Sequence, residues 1–114
     1  MEGLKAPRDE SEVQITYVQS KNGKPRSIPV WFTLNQGKIE LLPMYGARTK
    51  WFIDVEKSGQ LELKVGDWQV KAKPTIIRET KQIDEIKGTF AAKYGLRDVK
   101  RYYPKTEVAL EIPL

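Results

Sequence analysis

The chain of 114 residues contains neither cysteine nor histidine. Disulfide staples, Cys or His zinc sites, thiol nucleophiles and every Ser-His-Asp or Cys-His arrangement are thereby excluded. Any chemistry must come from a bound cofactor, from carboxylates, or from Tyr, Lys and Arg, and the carboxylates form no recognisable acid–base pair. There is no metal site to expect and no catalytic side chain to single out. No apolar run approaches the ~20 residues of a membrane-spanning helix, and the amino terminus lacks the apolar centre of a signal peptide. The expected setting is therefore soluble and cytoplasmic, with no membrane partner. Internal repeats and low-complexity segments are also lacking. Acids are outnumbered, 15 against 20 Lys and Arg, which suits a phosphate-bearing partner and also serves simple solubility.

What is present centres on Lys21–Phe32. Asn22-Gly23 is a strong two-residue hairpin signal, because a type I′ turn needs positive φ at both central positions. That turn sets Lys21 opposite Lys24 and pairs Val13 with Phe32, Ile15 with Val30 and Tyr17 with Ile28 on one apolar face. Trp31 then points away from this face and needs a second partner. Pro29 cannot donate to a ladder, so it belongs to an edge or a bulge, where backbone can approach a ligand. Lys21, Lys24 and Arg26 have a plainer reading as charges that keep an edge soluble.

Residues 1–12 are polar and carry Pro7, and read as a flexible arm preceding one domain over 13–114. A strand from Val13 to about Ser20, the hairpin strand to Leu34, and a third strand from Lys38 to Leu42 after Asn35-Gln36-Gly37 form a meander. Pro43 opens an irregular loop over Met44–Lys50, a second candidate site. Thr49 is placed to cap a short helix over Lys50–Glu56 with Trp51, Phe52 and Val55 inward, although a strand is an alternative there. Gly66-Asp67 suits a type II′ turn pairing Val65 with Trp68, Leu63 with Val70 and Leu61 with Ala72. From Gln82, the spacing of Ile83, Ile86, Phe90 and Tyr94 indicates an amphipathic helix that Gly95 stops. A short helix to Tyr102 or Tyr103 and a last strand through Val108, Leu110 and Ile112 follow. The expected fold is mainly β with one or two helices, a small six-stranded antiparallel barrel.

The run Lys21-Asn22-Gly23-Lys24-Pro25-Arg26, then Pro29 and an aromatic strand, a strand ending before Gly46, Trp51 ahead of Asp54, Tyr103-Pro104 and a closing apolar strand resembles the deazaflavin-dependent nitroreductase family. That family belongs to the split β-barrel flavin-binding proteins, with the pyridoxamine phosphate oxidases. The resemblance covers about residues 13–114 and rests on order and spacing. It implies a split β-barrel whose reduced cofactor passes hydride to a small electron acceptor such as a quinone, an enone or a nitro compound. It also implies cofactor contacts from Lys21 and Arg26 on phosphate, from Pro29 and Val30 beside the ring, and from Tyr45, Arg48, Thr49, Lys50 and Trp51. Ser20, Tyr45 and Asp54 stand where relatives carry a basic residue, a lysine and an asparagine, so the cofactor stays open between FMN and the 8-hydroxy-5-deazaflavin coenzyme.

Two other readings stand beside this one: a flavin-binding protein without turnover, and a nucleic-acid-binding barrel with exposed aromatics. Nucleic acid is the less favoured partner because the excess of positive charge is modest. A flat cofactor on so small a domain is left partly exposed, and split barrels of this kind complete the site with a second subunit. A homodimer with Trp31 or Tyr102-Tyr103 near the interface is the expectation.

Overall fold

In the computed structural model, which describes residue 7 and residues 9–114, eight strands form two separate four-stranded antiparallel sheets. The strands are β1 (Val13–Val18), β2 (Pro25–Val30), β3 (Thr33–Asn35), β4 (Lys38–Leu41), β5 (Leu61–Val65), β6 (Trp68–Ala72), β7 (Thr75–Ile77) and β8 (Ala109–Pro113). Three α-helices accompany them: α1 (Lys50–Ser58), α2 (Thr80–Tyr94) and α3 (Leu96–Tyr102). One sheet has the order β2-β1-β5-β6 and the other β3-β4-β8-β7. Most of the arm expected over residues 1–12 lies outside the described residues.

This topology differs from the expectation in two respects. The described strands do not close into a six-stranded barrel, and the helices number three rather than one or two. The meander also breaks after Val30, where the chain leaves the first sheet and re-enters structure at Thr33 in the second. Pro29 marks that edge, because it offers no N–H to a further strand. The polar groups of Phe32 find side chains instead of a ladder. Its N–H donates to Tyr94 Oη at 3.0 Å, and its carbonyl accepts from Tyr94 Oη at 2.9 Å and Lys93 Nζ at 2.9 Å. A buried crossing between sheets is thereby satisfied without strand pairing.

The first hairpin is offset by two residues from its expected register. Val13 pairs with Val30, Ile15 with Ile28 and Tyr17 with Arg26. Asn22 keeps negative φ and its carboxamide accepts the Lys24 N–H at 2.9 Å, an Asx-type turn. Gln19, not Lys21, faces Lys24. A shift of two preserves every residue's face, so the apolar side survives while Arg26 comes to lie opposite Tyr17. The type I′ turn sits at Gln36-Gly37, with φ of 53° and 74°, between Asn35 and Lys38. The Gly66-Asp67 hairpin has the expected register, Val65 with Trp68 through Leu61 with Ala72.

The main core lies between the sheets. Val13, Ile15 and Leu63 from one meet Ile39, Leu41, Leu110 and Ile112 from the other, with Phe52 and Val55 of α1 added. Helix α1 runs where a short helix was expected, not a strand, and Gly59 ends it at φ 76°. A second cluster, with Ile83, Ile86 and Phe90 of α2 and Val99 of α3, packs on Leu42, Ile77 and Ala109. Glu40, only 4% exposed, is held by the hydroxyls of Thr33 at 2.6 Å and Thr89 at 2.9 Å, so its burial leaves no orphaned acceptor.

Candidate functional site

Helix α1 separates two clefts. The larger, of about 440 Å³, opens where the chain crosses between sheets. Ile28, Pro29, Val30 and Trp31 form one side, Thr49 and Trp51 at the start of α1 another, and Leu42, Met44, Tyr45, Tyr102 and Tyr103 further walls. Its lining is mainly apolar, the character expected of a pocket for a flat organic group. Among the described residues, Glu12 is its one charged wall residue. The smaller cleft, of about 220 Å³, lies between the hairpin tip and the outer face of α1. Lys21, Arg26 and Lys50 line it together with Asp54.

The residues expected to bind a cofactor thus divide by chemistry. Pro29, Val30, Tyr45, Thr49 and Trp51 share the apolar cleft, and Lys21, Arg26 and Lys50 share the cationic one. Arg48 lines neither; it is exposed at the end of a short 3-10 turn, Gly46–Arg48. Ile28, Tyr102, Tyr103 and Glu12 in the larger cleft, and Ser20 and Asp54 in the smaller, were not among the expected site residues. The Tyr102-Tyr103 pair had a sequence signal as aromatics before Pro104. Ser20 and Asp54 stood out in the sequence only as departures from the family pattern, and their contact, spanning 34 positions, had no signal.

The wall carrying Met44 and Tyr45 is fixed from two directions. Thr49 is 5% exposed and its hydroxyl oxygen accepts the Tyr45 N–H at 2.8 Å, so it braces the loop instead of capping α1. With that oxygen engaged, the hydroxyl proton remains available to an acceptor in the cleft. Glu107 accepts the Ala47 N–H at 3.0 Å. Gly46 has φ 63°, and a Cβ there would lie 2.6 Å from the Lys105 carbonyl oxygen and 2.8 Å from Glu107 Oε1. Only glycine fits this approach.

Trp31 finds its second partner in the helical layer. It stacks on Tyr94 with centroids 4.1 Å apart and planes within 8°, and meets Tyr102 edge-on at 5.5 Å. Burial pushes Tyr94 up to about 12 and Tyr103 further still, so neither hydroxyl releases a proton near neutral pH. Tyr103 is a core residue in the second cluster. Lys93 is no solvated surface cation either: its Nζ lies 3.7 Å above the Phe32 ring, and burial lowers its pKa. In the smaller cleft, hydrogen bonds from Ser20 hold the Asp54 carboxyl below the usual range, helped by Lys57 and Lys50. Glu56 turns away to Arg78, 2.6 Å distant.

No protein-family model matches the chain, and no curated protein matches it. Solved structures do. The structure of an F420-H2-dependent reductase, FDR-A, superposes with a TM-score of 0.68 at 17% identity, covering 96% of this chain and 99% of that one. A domain-swapped dimer has a TM-score of 0.70 at 16% identity, covering 91% and 81%. The haem storage protein HutZ from Vibrio cholerae has 0.67 at 12%, covering 90% and 79%. These likenesses establish the fold that the chain shares with them, in agreement with the family resemblance carried by the sequence.

Proposed function

We propose that this protein is an oxidoreductase that binds a flavin-type cofactor, with the ring in the apolar cleft and the phosphate in the cationic one. The observation that supports this most is the adjacency of the two clefts across the start of α1, where Thr49 and Trp51 face one and Lys50 faces the other. A flat ring needs apolar cover with few polar handles, and its phosphate needs convergent cations. Thr49, Lys50 and Trp51, consecutive in the chain, between them line both clefts. The fold shared with an F420-H2-dependent reductase favours the deazaflavin coenzyme; FMN is the competitor.

When bound and reduced, such a cofactor supplies a hydride to a small electrophile, and the protein supplies position and electrostatics. Pro29 and Val30 offer backbone on an edge strand, Trp51 offers a buried aromatic wall, and Thr49 offers a hydroxyl proton to an acceptor on the ring. Lys21 and Arg26 would hold phosphate from the hairpin and Lys50 from the helix. Arg48, directed to neither cleft, has no part in this reading. Met44, Tyr45 and Tyr102 are exposed around the larger cleft, and a second copy of the chain covering them would complete the site, in keeping with the dimeric neighbour. A monomeric mass in solution would contradict the dimer.

The test is a fluorescence titration with the deazaflavin coenzyme and separately with FMN, followed by single-turnover reduction of a quinone, an enone and a nitroarene. Saturable uptake of one cofactor at micromolar concentration, with hydride transfer, is expected. Uptake of neither sinks the reading; uptake without turnover across the panel turns it into a carrier. A nucleic-acid platform is disfavoured by burial, since Trp51 and Trp68 are 7% and 9% exposed and Trp31 is stacked on Tyr94.

A further inference from the structure

The smaller cleft has one rigid wall and one light one. Helix α1 is anchored through Trp51, Phe52 and Val55 in the main core. The hairpin tip is lighter: residues 20–24 are all exposed, and the bonds between Gln19 and Lys24 and between Gly23 and Gln19 close the loop on itself, while Arg26 beyond it is held in the ladder opposite Tyr17. Among the described residues, one hydrogen-bonded link joins the tip to the helix. Asp54 Oδ1 accepts the Ser20 hydroxyl at 2.6 Å and the Ser20 N–H at 3.2 Å. The same carboxylate stands in a cleft with three cations, Lys21, Arg26 and Lys50.

We propose that Ser20 and Asp54 form a latch that holds the hairpin tip against α1, so that cations from both walls converge on one phosphate group. The Asp54 charge at the same time limits how much negative charge the cleft accepts. This rests on reading the cleft as a phosphate site. Asp54 is a positioning and selectivity residue here, because its carboxylate faces Ser20 and an anion in the cleft is drawn to the cations. Its two effects have opposite signs. The latch raises phosphate affinity by fixing geometry, and the charge lowers it by repulsion.

Two substitutions separate them. Ser20→Ala removes the shorter hydrogen bond at constant charge and should weaken phosphate binding about three- to tenfold. Asp54→Asn keeps an acceptor oxygen for both Ser20 donors and removes the charge, so binding should strengthen about threefold, with the gain shrinking as salt rises. A residue that merely supports the fold would weaken binding in both variants.

Calorimetric titration with inorganic phosphate at low and physiological salt measures this, and FMN and the deazaflavin coenzyme then distinguish a phosphomonoester from a phosphodiester. Changes of opposite sign support the latch. Changes of the same sign, no change, or no phosphate binding by the unmodified protein overturn it. Amide exchange in the unmodified protein gives an independent check: the Ser20 amide should exchange more slowly than that of exposed Lys21, and equal rates overturn the proposal whatever the variants do. Opposite signs with phosphate, together with no uptake of either ring cofactor, would keep the latch and remove the reductase reading.

Discussion

The two clefts flanking α1 are built by opposite means. The apolar one has walls tied to the core, a sheet crossing and the buried start of a helix, together with a loop that is exposed at Met44 and Tyr45 but clamped at Gly46. The cationic one is walled on one side by an exposed hairpin tip joined to α1 through a single carboxylate. Substitutions in the first should therefore appear as lost stability. Those in the second should appear as altered binding with the fold intact.

The strongest test of that contrast is Gly46→Ala. Positive φ and the approach to the Lys105 carbonyl leave no room for a Cβ, and a loss of about 3 kcal/mol is expected in denaturant unfolding, together with the larger cleft's shape. Arg26→Ala is the counterpart. Affinity for a phosphate-bearing cofactor should fall by about 1.5 to 3 kcal/mol, while the thermal midpoint stays within a degree or so of the parent; a large drop in that midpoint would erase the distinction. Tyr94→Phe lies between the two, since it strips the Phe32 N–H of its acceptor. Unfolding should show a loss of about 1 to 2 kcal/mol.

The smallest effect is an acid one. Asp54 has a folded pKa below its ordinary 3.8, through Ser20 and then Lys57 and Lys50. Its contribution is therefore present above that ordinary value and is lost as pH falls through the lowered folded one. Since the carboxylate is largely exposed, the change should be confined to the hairpin tip. Amide shifts of Ser20 should move with this titration while those of Val13 and Ile15 in the core hold still.

Local chemistry was legible where a turn settled its own register. Gly66-Asp67 shows this, since a leading glycine and the alternation on both sides admit one pairing. Asn22-Gly23 misled because asparagine has two uses in turns, positive φ or side-chain acceptance, and here it takes the second. The separation into two sheets was not legible at Trp31-Phe32, because what replaces the ladder there arrives from Tyr94, 62 positions away. Strand β7, three residues after Pro74, exists through its pairing with β8 and carries too short a pattern to announce itself. Among the site residues, the cations of the hairpin could be grouped by proximity in sequence. That Lys50 lines the same cleft as those cations while Arg48 lines neither cleft depends on how the chain enters α1, which no local pattern gives.

The bracket that Lys93 and Tyr94 place around Phe32 also sets an order of events. As the chain leaves the ribosome, β1, β2 and the crossing emerge long before residue 94, and until then the Phe32 peptide has water as its partner. The sheets have nothing to hold their separation at that joint. The apolar cleft, lined also by Tyr102 and Tyr103, therefore takes shape only after α3 has been made.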